Sequence, residues 1–195
     1  MKINKKNTNL RIISGHFKNR RIPVINQKSL RPTTNKMRET LFNWLNTKIQ
    51  NSQCLDCFSG SGALAIEAIS RDAKNVTLLE ININIIKKII HTIKKLNISE
   101  IEVIHTDTLK WLKKKTYDIV FLDPPFYNIF LEKTIFLLEN NMWLKNNSWI
   151  YIEKEKTRKN IYIPNNWILK KEKSTRKINY RLYIRKMHYF IEFKK

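Results

Sequence analysis

At 195 residues the chain can bury one substantial core, or one core with a small appendage. Its 38 Lys and Arg against 16 Asp and Glu leave a formal charge of +22, which favours a polyanionic partner and puts nucleic acid ahead of an anionic membrane surface. The sign of the charge counts for more than its size, because a Lys-, Asn- and Ile-rich chain with three glycines is also what an AT-rich genome yields. No apolar run reaches signal-peptide or membrane-spanning length, so a cytoplasmic protein is expected.

Residues 1–9 are polar and expected to fray. Leu10–Ser14 and Arg21–Ile25 read as short strands, with Lys18-Asn19 at the turn because Asn tolerates positive φ. Thr33 or Thr34 caps a helix from about Lys36 to Ile49, in which Met37, Leu41, Trp44, Leu45 and Lys48 recur at helical spacing. Strand and helix then alternate. Cys54–Phe58, Val76–Glu80, Ile101–His105 and Tyr117–Asp123 read as strands, and Ala63–Ser70, Asn84–Leu96, Thr108–Lys114 and Phe130–Asn140 as helices. Trp149–Glu153, Trp167–Lys171 and Tyr180–Arg185 complete the set as strands. Lysines 87, 88, 94 and 95 form the solvated face of a core helix, and Trp44, Trp111 and Trp143 read as core.

This order predicts an α/β fold: a parallel sheet covered on both faces over residues 51–195, preceded by an extension over residues 1–50. Ligands in such sheets bind at the strand C-termini, at the topological switch point. The last strands lie close together across the charged stretch Lys170–Lys177, which predicts an antiparallel hairpin at one edge.

Chemistry concentrates at the strand ends. Two of the three glycines stand at Gly60 and Gly62, after Asp56-Cys57-Phe58-Ser59, where a tight strand-to-helix turn must bring backbone close to a ligand. Glu80 ends the next strand, placed to take the hydroxyls of a ribose, and Asp107 follows the third, placed to accept from an adenine amino group. Gly60-x-Gly62-x-x-Ala65 also loosely satisfies a dinucleotide fingerprint, so a nicotinamide cofactor competes with S-adenosylmethionine. Asp56, Asp107 and Asp123-Pro124-Pro125-Phe126 favour S-adenosylmethionine. In the last of these, two prolines stiffen a loop that presents a carboxylate, carbonyls and an aromatic ring, a set that suits a flat, amino-bearing base. Cys54 and Cys57 have C-x-x-C spacing, but on a strand residues three apart face opposite ways, so no metal is expected there.

Several blocks resemble the bacterial RsmD family of 16S ribosomal RNA (guanine-N2)-methyltransferases. They are Arg31-Pro32-Thr33-Thr34 with Arg38-Glu39-Thr40-Leu41-Phe42-Asn43-Trp44-Leu45, Phe58-Ser59-Gly60-Ser61-Gly62-Ala63-Leu64 with Glu67-Ala68, Leu79-Glu80, the Asp123–Phe126 loop, and Tyr180-Arg181-Leu182-Tyr183. The resemblance spans about residues 10–186. It implies a Rossmann-like class I methyltransferase sheet of seven strands, the last antiparallel, with an N-terminal hairpin and helix extension. It also implies transfer of a methyl group from S-adenosylmethionine to one guanine of 16S rRNA, within the small ribosomal subunit, by a monomer.

On that resemblance Asp56, Ser59, Gly60, Gly62, Glu80 and Asp107 hold the methyl donor, and Asp123, Pro124, Pro125 and Phe126 form the catalytic loop. Lys18, Arg20, Arg21, Arg31, Arg38, Lys170, Lys173, Arg176 and Lys177 are candidate RNA contacts; Arg31 and Arg38 are equally candidates for the donor carboxylate. The chain departs from the family at Asn19, Ala65 and Asp72, where glycine is usual, at Asn82 in place of an acid, and at Arg176-Lys177 in place of Gly-Gln. Two rival readings are an adenine-N6 methyltransferase, which the Asp123 loop alone also fits, and a non-catalytic RNA-binding assembly factor.

Overall fold

The alternating strands and helices form one seven-stranded sheet in the computed structural model, which describes residues 9–23, 34–113, 115–125, 128–157 and 161–186. A hairpin of β1 (Asn9–Arg11) and β2 (Arg21–Pro23) precedes α1 (Asn35–Trp44). Then follow β3 (Gln53–Asp56), α2 (Ala63–Ser70), β4 (Asn75–Glu80), α3 (Ile83–Lys95) and β5 (Ile101–His105). A 3₁₀ turn (Thr108–Lys110), β6 (Tyr117–Leu122), α4 (Asn128–Asn140), β7 (Leu144–Glu155), β8 (Trp167–Ser174) and β9 (Ile178–Arg185) complete the order.

The sheet runs β5-β4-β3-β6-β7-β9-β8. β3 to β7 are parallel, and β9 lies antiparallel between β7 and β8. The chain winds outward from β3 to β5 and then returns to place β6 on the other side of β3. The switch point therefore lies between the C-termini of β3 and β6. Parallel strands buried on both faces need near-continuous apolar runs, which Ile119-Val120-Phe121-Leu122 supplies and Val76–Leu79 interrupts only at the buried Thr77. One face packs on α1, α2, α3 and the hairpin through residues such as Ile12, Phe42, Ile66, Ile89 and Phe121. The other packs on α4 and on Trp111 and Trp143, whose rings lie 4.7 Å apart.

Several boundaries differ from the expected ones for local reasons. α1 ends at Trp44, yet Leu45 and Ile49 stay buried as a turn continues, which is why the apolar periodicity runs on. β7 begins at Leu144 rather than Trp149: its polar start holds an irregularity, with Asn147 at φ 65° and the Ser148 hydroxyl donating to Tyr117 O at 2.7 Å. Only a 3₁₀ turn forms at Thr108, because Trp111 leaves it in extended conformation to reach the core. The charged stretch expected to link the last strands is itself strand as far as Ser174. β8 is an edge strand exposed from Ile168 to Ser174, so it carries no apolar alternation to read.

Two of the missing glycines are replaced without loss of the turn. Asn19 and Asp72 hold φ of 70° and 68°, and Asn and Asp are the non-glycine residues that best tolerate that region. Gly15 cannot be replaced in this way, because a Cβ there would lie 1.5 Å from Ser70 O. The hairpin is thus seated directly on the end of α2, where His16 N donates to the same oxygen at 2.8 Å.

Under that hairpin lies a buried ionic cluster. Glu67 of α2 accepts from Ile13 N at 2.8 Å, Ser14 N at 3.1 Å and Arg71 Nε at 2.9 Å. Arg38 of α1, fully buried, places Nη1 3.6 Å from the same carboxylate and donates through Nη2 to Arg11 O and Asn35 Oδ1, each at 2.7 Å. Burial pulls the Arg38 guanidinium below its ordinary pKa, and Glu67 opposes that shift. The expectation that Arg38 meets RNA or the donor carboxylate is therefore corrected. Its charge is spent inside the fold, joining α1 and the hairpin to α2.

Candidate active site

Each central parallel strand delivers an acid to its C-terminal end. Asp56 ends β3, Glu80 ends β4, Asp123 follows β6 and Glu153 lies near the end of β7. All four line one cavity of about 490 Å³ at the switch point, within the usual size range of small-molecule sites.

The turn after β3 forms one wall. Ser59 N and Oγ both donate to Leu79 O, at 3.2 and 3.0 Å, which binds the turn to β4. Gly60 and Gly62 adopt φ of 51° and 72°, and Gly62 caps α2 from the left-handed region. A Cβ at Gly62 would meet Ile89 Cγ1 at an ordinary 3.4 Å, so glycine is needed there for its conformation rather than for space. Glu80 spans two turns: its Oε2 accepts from Gly60 N at 3.1 Å and its Oε1 from Asn82 N at 2.8 Å. Burial raises the Glu80 pKa, and these backbone donors pull it back. Asn82 keeps a structural role where an acid is usual, capping α3 by accepting from Asn84 N at 2.9 Å. Asp107 Oδ1 accepts from Leu109 N at 3.0 Å and caps the 3₁₀ turn on the cavity wall.

Asp56 is buried among these groups with Oδ2 lacking a hydrogen-bond partner among the described residues. Its pKa is pushed up to about 8, first by burial and then by the charge of Asp123. Asp56 and Asp123 thus share one electrostatic environment, although 67 residues separate them in the chain. Pro124 and Pro125 line the cavity beside Asp123, whereas Phe126 and Arg31 lie outside the described residues.

The family model for Conserved hypothetical protein 95 matches residues 10–184. The Ribosomal RNA small subunit methyltransferase D of Buchnera aphidicola subsp. Baizongia pistaciae is 58% identical over 195 residues, covering 94% of this chain and 97% of that protein. The protein of the same name from Escherichia coli K12 is 43% identical over 178 residues, covering 90% of each. The solved structure of the Escherichia coli yhhF protein superposes with a TM-score of 0.86 at 41% identity, over 92% of this chain and 99% of that one. The chain belongs to the RsmD family.

Its fold is accordingly the class I methyltransferase fold, a Rossmann-like mixed sheet with an N-terminal extension. Within this RsmD-family scaffold the donor-side candidates Asp56, Ser59, Gly60, Glu80 and Asp107 all line the cavity, and Gly62 shapes its wall. Lys18, Arg20 and Arg21 are exposed on the hairpin, and Lys170, Lys173, Arg176 and Lys177 on β8 and the turn after it. Cys54 and Cys57 are buried in different core layers, so their sulfurs cannot share a metal ion or a disulfide.

Phe130, Glu153, Thr175 and Ile178 also line the cavity and were not singled out from the sequence. Glu153 carries the same mark as Asp123, a carboxylate closing an apolar run (Trp149–Ile152). The mark becomes meaningful only once β7 is known to lie beside β6.

Proposed function

We propose that the protein transfers a methyl group from S-adenosylmethionine to the exocyclic N2 of a guanine in 16S rRNA. The observation that supports this most strongly is the convergence of the glycine turn, Glu80 and the Asp123-Pro124 loop on one cavity, in a chain of the RsmD family. The residues fit the donor: backbone at Gly60 and Gly62 leaves room beside the turn, Glu80 suits a ribose diol, and Asp107 suits an adenine amine. Asp56, with its orphaned Oδ2, suits an ammonium group. The donor supplies a methyl group made electrophilic by its sulfonium. Asp123 and the Pro124 carbonyl accept hydrogen bonds from the two N2–H groups, which localises the nitrogen lone pair and accommodates its developing positive charge. As the N2–methyl bond would form, the sulfur–methyl bond would break with its electron pair left on a neutral thioether, and Asp123 is placed to take the one proton that N2 sheds.

Asp56 gives this reading a pH signature. A carboxyl held near pH 8 is mostly neutral at pH 7, while a cationic donor selects its ionised form. Donor affinity is therefore expected to rise with pH up to about 8 and then level off. Calorimetry at pH 7 in buffers of different ionisation enthalpy should show proton release on binding. The raised pKa also means that ligand-free stability falls as pH climbs from the unfolded carboxyl value of about 4 to about 8. Asp56→Asn should flatten both profiles; unchanged profiles would remove Asp56 from the donor site.

Residues 1–50 serve as an RNA-gripping extension to the catalytic unit 51–195, and a monomer acts in the cytoplasm on the small ribosomal subunit. Among the described residues no helix is long and apolar enough to cross a membrane. The exposed basic groups of the hairpin and of Lys170–Lys177 contact phosphate, so neutralising each one should reduce the slope of log affinity against log salt by about 1. The decisive assay incubates the protein with labelled donor and naked 16S rRNA, duplex DNA or small-subunit particles, then maps the product. Label at a guanine N2 of the RNA is expected. Label at adenine N6, or donor binding without transfer to any substrate, would overturn the proposal.

A further inference from the structure

We propose that Glu153 reads the N1–H of the acceptor guanine beside Asp123 and so sets the base selectivity of the site, an inference that rests on the guanine-N2 reading above. Neighbouring parallel strands β6 and β7 pair Phe121 with Tyr151 and Leu122 with Ile152. Asp123 and Glu153 are the next residue of each segment after the Leu122–Ile152 pair, and neighbouring strands lie about 4.8 Å apart. Alternation along each strand puts both acids on the face that carries Phe121 and Tyr151. Both line the cavity.

The strand order gives the two acids different neighbours. β3, with Asp56 and the glycine turn, lies on one side of Asp123, and β7 with Glu153 lies on the other. Glu153 is therefore two strands from the donor turn, across Asp123, and belongs to the acceptor side. Glu153 is 7% exposed, and the hydroxyl of the fully buried Tyr151 donates to its Oε1 at 2.9 Å, which holds the carboxylate in place. Burial pushes the Tyr151 phenol well above its ordinary range, so it remains a donor at neutral pH.

Guanine presents two neighbouring kinds of donor on this edge, the N2 amine and N1–H. Adenine presents one amine beside an N1 lone pair. A carboxylate next to Asp123 accepts from guanine N1–H and repels the N1 lone pair of adenine. Asp123 and Pro124 thus engage the amine that reacts, and Glu153 identifies the ring that carries it.

The test replaces the target guanosine in small-subunit particles by 2-aminopurine ribonucleoside, which keeps the 2-amino group but offers a lone pair at N1. The wild-type protein should prefer guanosine by about 10²-fold or more in kcat/KM, as expected of a site built to pair with the missing N–H. Glu153→Gln, whose amide can donate to that lone pair, should reduce this preference at least about tenfold while donor affinity by calorimetry is unchanged. Tyr151→Phe, which leaves Glu153 in place but removes its anchor, should move the preference the same way by a smaller factor, and covers the case in which Glu153→Gln does not fold. Equal losses on both substrates, or an unchanged preference, would overturn the proposal. A wild-type protein with no transfer to guanine would instead sink the functional reading on which it rests.

Discussion

Asp123→Ala is expected to slow methyl transfer by about 10²–10³-fold while leaving the donor bound, the scale seen when one preorganised polar group is removed from a reacting centre. The expectation follows from position. Asp123 directly follows β6, held by two prolines whose fixed φ stiffens the loop, and it lines the cavity that the glycine turn also lines. Without its carboxylate N2 keeps its lone pair delocalised into the ring, and the transition-state charge on nitrogen has no partner. Single-turnover rates at saturating donor and substrate isolate this step from binding. The same variant carries an internal control. The Asp123 charge is, after burial, the largest cause of the high Asp56 pKa, so its loss should move the pH midpoint of donor binding to lower pH. Turnover within a fewfold of wild type would remove Asp123 from the reaction.

Glu67→Ala is expected to cost about 3–5 kcal/mol of stability, the usual scale for stranding one member of a buried ion pair. In a chain of this size that corresponds to a fall on the order of 10 °C in Tm. The carboxylate is completely buried and is shared by Arg38, Arg71 and the amides of Ile13 and Ser14. Truncation leaves the buried Arg38 guanidinium without its counter-charge and the amides of Ile13 and Ser14 without their acceptor. Glu67→Gln should fall between wild type and Ala, since the amide retains an acceptor oxygen but not the charge. Denaturant unfolding of the three proteins checks the order. A Glu67→Ala loss below about 1 kcal/mol, the range of an exposed pair, would show that this cluster does not hold the hairpin and α1 to α2.

These two residues mark the limits of what can be read from the chain. Asp123 was legible because a buried strand announces itself as an unbroken apolar run, and the acid and prolines that follow can lie only at its end. Gly60 and Gly62 were legible because glycine is scarce here and a left-handed turn requires it. Arg38 was misplaced, since an arginine in the first turn of a polar-looking helix has the pattern of a solvated or phosphate-binding group. Nothing local reveals that Glu67, 29 residues later, lies beneath it. β8 was cut short for a related reason. An edge strand wet along its length has no apolar alternation, and its lysines read as a connecting loop.

The sequence by itself determined most of the strands and helices, and that acids stand at the strand ends, because periodicity and chain-terminating residues act within a few positions of themselves. Only the tertiary structure decided which acids meet. The order β3-β6-β7 arises from crossovers between distant segments, and it is this order that sets Asp56 on one side of Asp123 and Glu153 on the other. Burial, likewise a property of the assembled layers, then turned Arg38 from a candidate RNA contact into an internal brace and raised Asp56 into the neutral pH range.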